Sequence, residues 1–523
     1  MNTARHIEVR NLALVGPHGA GKTAFLQEAA RAADGAYFQH REGISFTPLR
    51  WNSVALNLLE APAHPDFTAD VHAALRAADA VIFVISALDG VDLATSMLWE
   101  ECVYQDLPRC IVISHVDHPR ADFEETVAIC QRLFGEAVVP AVLPVFDDEA
   151  VDIFGNHQLG GTLSLLSQQI VLGHSGERHD AEVEHRELIA DTREILVEAI
   201  VAESDDDDLI DRHIDQRLDT EADVKALERA LAIGFHNAAI FPVLPIGHVA
   251  DTDALIGVPE VLNFLSAHAP APEAAPPVPV HNAAGDPIDT VGHTSGGPLL
   301  AEVLNVRDEE AIVRVYSGVL NGQVAALHSA FDEARLTTLA SPDALYAGEI
   351  SRATLPGLRI GDTLSAPNAP LLLAPLSHSA PRHPVWTQGV EVDELRAIWH
   401  SERGVHVEPL SEPGSAVVWC SGETHLAQLF EQAQGAGLPI ARVDPSDVSG
   451  EKQIVVRVPA VFAGRVRDHL RTISTFNGKA KPDGENWVRY ETKVPVAALA
   501  TYLQELRKLT DQVGYFELVV AQE

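Results

Sequence analysis

Residues Leu12–Ala29 read LALVGPHGAGKTAFLQEA, and the order of residue types in this stretch decides the architecture around it. Leu12 to Val15 is an apolar strand-forming run, Gly16 to Thr23 has the spacing G-x-x-x-x-G-K-T, and the residues after it favour a helix. Strand, loop and helix in that order form the setting in which this spacing holds phosphate. Successive backbone N–H groups turn inward, the helix N-terminus adds partial positive charge, and glycines let the backbone come close. The spacing predicts a nucleoside triphosphate on Gly16, Pro17, His18, Gly19, Ala20, Gly21, Lys22 and Thr23. Lys22 reaches the outer phosphates in this reading, and the Thr23 hydroxyl goes to Mg²⁺.

Working outward, the runs NLALVG, SVALNLLEAP, AVIFVISALDG and CIVISHVD alternate with polar or helical segments up to about residue 135. That alternation predicts a doubly wound, mostly parallel sheet with its ligand loops at the strand ends. Residues 136–235 read as an inserted subdomain, with AVVPAVLPVF as one strand followed by polar helices. The parent sheet resumes at AAIFPVLPIG, so the first domain spans 1–270. Residues 271–287 are rich in Pro and Ala and read as an extended linker. Short alternating strands over 288–375 predict a β-barrel, and 380–447 and 451–523 repeat one order of strands and helices, that of two split β-α-β sandwiches. The expected fold class is thus multidomain α/β and β: a P-loop domain with an insertion, a barrel, and two ferredoxin-like α/β sandwiches.

Composition sets limits on partners. The 523 residues are 46% hydrophobic and 21% charged, which is globular, and the net charge of −38 excludes binding nucleic acid by general coulombic attraction. Any RNA contact must come from local basic points, of which Arg465, Arg467, Arg471, Lys479 and Lys481 fall in one terminal sandwich. The densest acid run, AESDDDDLIDRHIDQRLDTEADVKALERAL, reads as a solvated surface with helical stretches, and the His-rich LSHSAPRHPVW as a connector without metal-ligand spacing. Cys102, Cys110, Cys130 and Cys420 lack C-x-x-C pairing and read as small buried apolar residues. No apolar run is long enough for a membrane span and the N-terminus lacks a secretory signal, so a cytoplasmic protein is expected, with neither membrane nor DNA as partner.

Across these segments the chain resembles elongation factor G, a translational GTPase. AVIFVISALDGVDLATSMLWEEC is similar to the family's strand and helix after the second switch. RVYSGVLNG and IGDTL resemble its second domain, SGETHLAQL its third, and the terminal β-α-β-β-α-β its last. LPIARVDPSDVSGEKQ joins the two sandwiches directly, where the family has a long tRNA-mimicking domain. The resemblance implies GTP or GDP with Mg²⁺, and the ribosome, both rRNA and ribosomal proteins, as partner without translocase activity.

The resemblance also implies roles, residue by residue. Ser45 stands for the switch threonine that contacts the metal. Glu60 takes the Asp position of D-T-P-G-H as a further metal-site residue, Ala63 replaces its glycine, and His64 is the histidine that orients the attacking water. Ser114, His115 and Asp117 correspond to N-K-x-D: Asp117 keeps the carboxylate that reads guanine, the asparagine brace and lysine stem are gone, and His115 is free to stack on the base. Gly247 and His248 stand where the family has Ser-Ala, leaving backbone N–H contacts. Two other readings compete with a GTP hydrolase: a pseudo-GTPase serving as a ribosome-binding or regulatory module, and an ATP-binding regulator unrelated to translation.

Overall fold

In the computed structural model, described residues are 8–33, 35, 43–62, 64–151, 157–173, 175–218, 220–249, 254–307, 310–327, 334–340, 343–374, 383–399, 402, 404–410, 413–443, 451–474, 476, 478–483, 487–511 and 513–518. Ala63 and most of the His-rich connector lie outside them.

The phosphate-loop stretch folds as strand β1 (Val9–Val15), loop and helix α1 (Lys22–Ala32). Around β1 lie β2 (Ser45–Trp51), β3 (Val54–Glu60), β4 (Ala80–Ser86), β5 (Arg109–Ser114) and β6 (Val138–Pro140). With the strand Phe241–Pro245 they form one sheet in the order β2-β3-β1-β4-β5-(Phe241–Pro245)-β6. Every neighbour pair is parallel except β2 with β3. Parallel strands covered on both faces must be apolar throughout, and β4, AVIFVIS, is buried at every position. Leu12 and Leu14 enter one core layer, Ala13 and Val15 the other.

The expected boundary of the insertion is corrected at its start. Val138–Pro140 pairs with Phe241–Pro245 and belongs to the parent sheet, while Val142–Val151 opens a separate four-stranded antiparallel sheet. The apolar run AVVPAVLPVF is therefore two strands in two sheets, divided at Ala141, a break that hydrophobicity alone does not mark. The described acidic residues of the acid run are exposed or half-buried on or beside helical stretches, as expected, except for Asp223. Asp223 is 1% exposed, accepts from Thr220 N at 2.8 Å and Thr220 Oγ1 at 2.6 Å, and pairs with Arg212, so it starts the helix Glu221–His236 as a capping box.

Residues 271–287 are not a bare linker. Val278–His281 is the middle strand between Pro287–Val291 and Leu372–Leu373, with Val280 turned into the core and Pro279 outward. The barrel proper is a six-stranded antiparallel sheet. It is fastened to the first domain through buried polar pairs: Arg314 Nη2 to Asp79 Oδ1 at 2.9 Å and Asn11 Nδ2 to the carbonyl of Gly348 at 2.9 Å, with Asn11 also donating to Asp79 Oδ2 at 2.6 Å inside the first domain. From helix α2 (Thr68–Ala77), Arg76 reaches Glu302 at 3.0 Å and the carbonyl of Ala374 at 2.7 Å.

The two sandwiches share one strand order. In each, the second strand lies outermost, then the third, the first and the fourth: His406–Pro409, Ser415–Cys420, His383–Gln388, Ala441–Val443, and Lys481–Pro482, Trp487–Pro495, Glu451–Pro459, Tyr515–Leu518. Trp386, Val417 and Trp419 of the first share a core with Ile454, Val456, Leu499 and Tyr502 of the second. His383, read as connector, is fully buried at a strand start and lies 3.1 Å from Glu423 Oε1. The four cysteines are free and buried, and burial lifts their thiols to about 12. Among the described residues no helix is long and apolar enough to cross a membrane.

Candidate functional site

The site collects where the parallel strands end. Gly16 leaves β1 with φ 138°, and a Cβ there would stand 2.1 Å from the carbonyl oxygen of Val84, so only glycine lets the loop lie against β4. Gly21 is the N-cap of α1 with φ 87°, a left-handed conformation that favours glycine. Lys22, 6% exposed, donates from Nζ to the carbonyls of Gly16 at 2.8 Å and Pro17 at 2.7 Å. Burial lowers its pKa, while Glu60 and Asp92 pull the other way. The ammonium thus spans the loop that the spacing assigns to phosphate.

Thr23 Oγ1 donates to Glu60 Oε1 at 2.9 Å, and Ser45 lies directly across from Glu60 in the β2–β3 register. The structure brings these three together at the phosphate end. All offer oxygen, the chemistry Mg²⁺ selects, and no cluster of three or more His, Cys, Asp or Glu that could cage a metal occurs among the described residues. A hard ion sharing its coordination with phosphates fits this donor set. Asn305 of the barrel donates to the carbonyl of Ile44 at 2.9 Å, fixing the start of β2 beside Ser45.

At the other end lies Ser114, where the asparagine is absent. Its hydroxyl donates to the carbonyl of Ala20 at 2.7 Å, tying β5 to the phosphate loop. His115 has φ 58°, and this turns its imidazole inward: Nδ1 lies 3.1 Å from Ser86 Oγ and 3.2 Å from Ser114 Oγ. Ser86, at the end of β4, also accepts from the N–H groups of Leu88 and Asp89 at 3.2 and 3.4 Å. Sequence reading missed it, although a serine closing a wholly apolar strand is a signal. Asp117 Oδ1 accepts from His248 N at 2.9 Å, and a Cβ on Gly247 would come within 2.8 Å of that oxygen. The glycine lets the last loop close on the carboxylate.

His64 stands outside this cluster. It follows β3 at the start of the short turn Pro65–Phe67, and its partners are the N–H of Asp66 and the hydroxyl of Thr424 on the helix Glu423–Gly435, each at 3.2 Å. Thr424 was not among the residues expected from sequence, since nothing local links it to a residue 360 positions away. Of the basic points, Arg467 and Arg471 lie 3.1 and 3.5 Å from Asp468, and Lys481 3.0 Å from Glu491.

Residues 7–271 match the family described as elongation factor Tu GTP binding domain. The elongation factor G-like protein of Mycobacterium tuberculosis is 28% identical over 534 aligned residues, covering 90% of this chain and 70% of the relative. Elongation factor G 2 of Geobacter metallireducens is 27% identical, covering 83% of this chain and 66% of its own length. A crystal structure from Thermus thermophilus superposes with a TM-score of 0.70 over 98% of this chain and 96% of that one; at 18% identity it shows the shared fold.

Proposed function

The chain belongs to the family of the elongation factor Tu GTP binding domain, in its elongation factor G-like branch, and on that premise we propose a ribosome-associated GTPase without translocase activity. The observation that carries the reading is one row of groups at the sheet's carboxyl edge. The glycine loop and Lys22 stand at the phosphate end, Thr23, Glu60 and Ser45 at the metal position, and Ser114, Asp117 and the His248 N–H at the base end. Asp117 accepts from guanine's paired N–H groups, which adenine lacks. Mg²⁺ on Thr23, Ser45 and Glu60 supplies charge neutralisation at the phosphates. His64 is the group we assign to orienting the attacking water.

Absence of translocation is supported by the junction between the sandwiches. Only residues 444–450 lie between Ala441–Val443 and Glu451–Pro459, and the sandwiches share a core, so no folded arm fits between them. Exposed Arg465 in the last sandwich offers a local contact for rRNA, and the cytoplasm is where such a partner is found. The pseudo-GTPase reading rests on two observations: His64 is engaged by Thr424, and Glu60, a methylene longer than Asp, already occupies the Thr23 hydroxyl.

Calorimetric titration with non-hydrolysable GTP, GDP and ATP analogues tests the nucleotide, and co-sedimentation with ribosomes tests the partner. Lys22→Ala is expected to abolish triphosphate binding, and undiminished affinity would contradict its phosphate role. Phosphate release with ribosomes decides between enzyme and scaffold: turnover that His64→Ala leaves unchanged would remove His64 from the chemistry.

A further inference from the structure

The turn after His64 is gripped by two other modules. Asp66, 1% exposed, accepts at Oδ2 from the N–H groups of Thr424 at 2.9 Å and His425 at 3.3 Å, both at the start of the helix Glu423–Gly435. Its Oδ1 accepts from Arg507, which extends from the last helix, Val496–Leu509, and also reaches the Ser421 carbonyl at 3.4 Å. The fit leaves no slack, since a Cβ on Gly422 would stand 2.1 Å from Asp66 Oδ1. Burial would raise the Asp66 carboxyl, but the Arg507 guanidinium beside it and the His425 N–H bring it below the usual range, so it is ionised at neutral pH.

His64 is carried on this grip. Its Nδ1 accepts the Asp66 N–H, so that nitrogen bears no proton; the ring proton sits on Nε2 and is donated to Thr424 Oγ1. An imidazole that orients a water must present a ring nitrogen to it, and here both are taken. We propose that Thr424 is a positioning residue that holds His64 in a resting orientation, with Asp66 and Arg507 keeping it there until the paired sandwiches shift. The inference rests on the assignment of His64 to the attacking water. It makes the sandwiches an inhibitory element of hydrolysis, released when whatever binds them draws Glu423–Gly435 away from the turn.

Thr424→Val removes the hydroxyl and keeps the backbone N–H that serves Asp66, so it isolates the contact without disturbing the fold. Single-turnover GTP hydrolysis by the full chain, without ribosomes, is expected to rise by about two- to tenfold, the population shift that follows from losing one hydrogen bond. GTP affinity should not change, and the rise should vanish in the Thr424→Val, His64→Ala double variant. In ¹⁵N spectra of Thr424→Val the His64 Nε2 shift should move to that of a water-exposed imidazole, with the Nε2-protonated tautomer kept by the Asp66 N–H. Unchanged or slower turnover in Thr424→Val, with His64→Ala impaired, overturns the proposal while leaving His64 catalytic. Turnover in His64→Ala equal to that of the unmodified chain overturns the underlying assignment, and the proposal with it.

Discussion

Ser114 shows how a small residue can tie a strand end to a loop. Its hydroxyl, 2.7 Å from the Ala20 carbonyl, holds the phosphate loop to β5 in a buried setting. Ser114→Ala leaves that carbonyl unpaired at a cost of about 1–2 kcal/mol, and calorimetry should find GDP affinity weaker by about tenfold, with the fold intact. The residue types here were legible from spacing alone: Gly16 to Thr23 fall where the motif requires, and Thr23 meets Glu60. What sequence could not supply was orientation. A left-handed φ at a histidine is unmarked by composition, so the inward turn of His115 toward Ser86 becomes visible only with the backbone.

The helix Glu423–Gly435 joins burial, charge and docking in a single element. Its first turn carries His425, 2% exposed, whose Nδ1 accepts the Ser421 N–H at 3.2 Å. Burial drives this imidazole down to about 4, against a weaker upward pull from Asp66. The unfolded chain, with His near 6.5, binds more protons than the folded one between those values, so stability falls as pH drops from about 6.5 to about 4, by about 3 kcal/mol. Asp66 has the opposite history, a depressed carboxyl, and its contribution disappears only below the ordinary carboxylate range. Urea unfolding of the sandwich pair, followed by tryptophan emission, should show the first slope, and His425→Leu should flatten it. Such elements were legible as elements, because strand and helix periods are local. The split of AVVPAVLPVF between two sheets and the strand hidden in a Pro-rich stretch were not, because partners distant in sequence decided them.

At the scale of the molecule, the first domain and the barrel are coupled by charges that water does not reach. Arg314 and Asp79 are 1% and 2% exposed at the side chain, with Asn11 completing the set. Arg314→Ala strands the Asp79 carboxylate and should cost about 3–5 kcal/mol, read as an earlier urea midpoint. The Arg314→Met, Asp79→Leu pair should recover most of it, since removing both charges also removes the desolvation penalty. No sequence rule pairs residues 235 positions apart, which is why this interface was invisible while the order of domains was plain. The buried thiols have a practical sequel. With all four native sulfhydryls inside the protein and held far from the thiolate form, a single cysteine engineered on an exposed face would be the one target for a maleimide dye. Two such dyes, one on the first domain and one on the last helix, would turn the separation of the modules into an optical signal without removing any native cysteine.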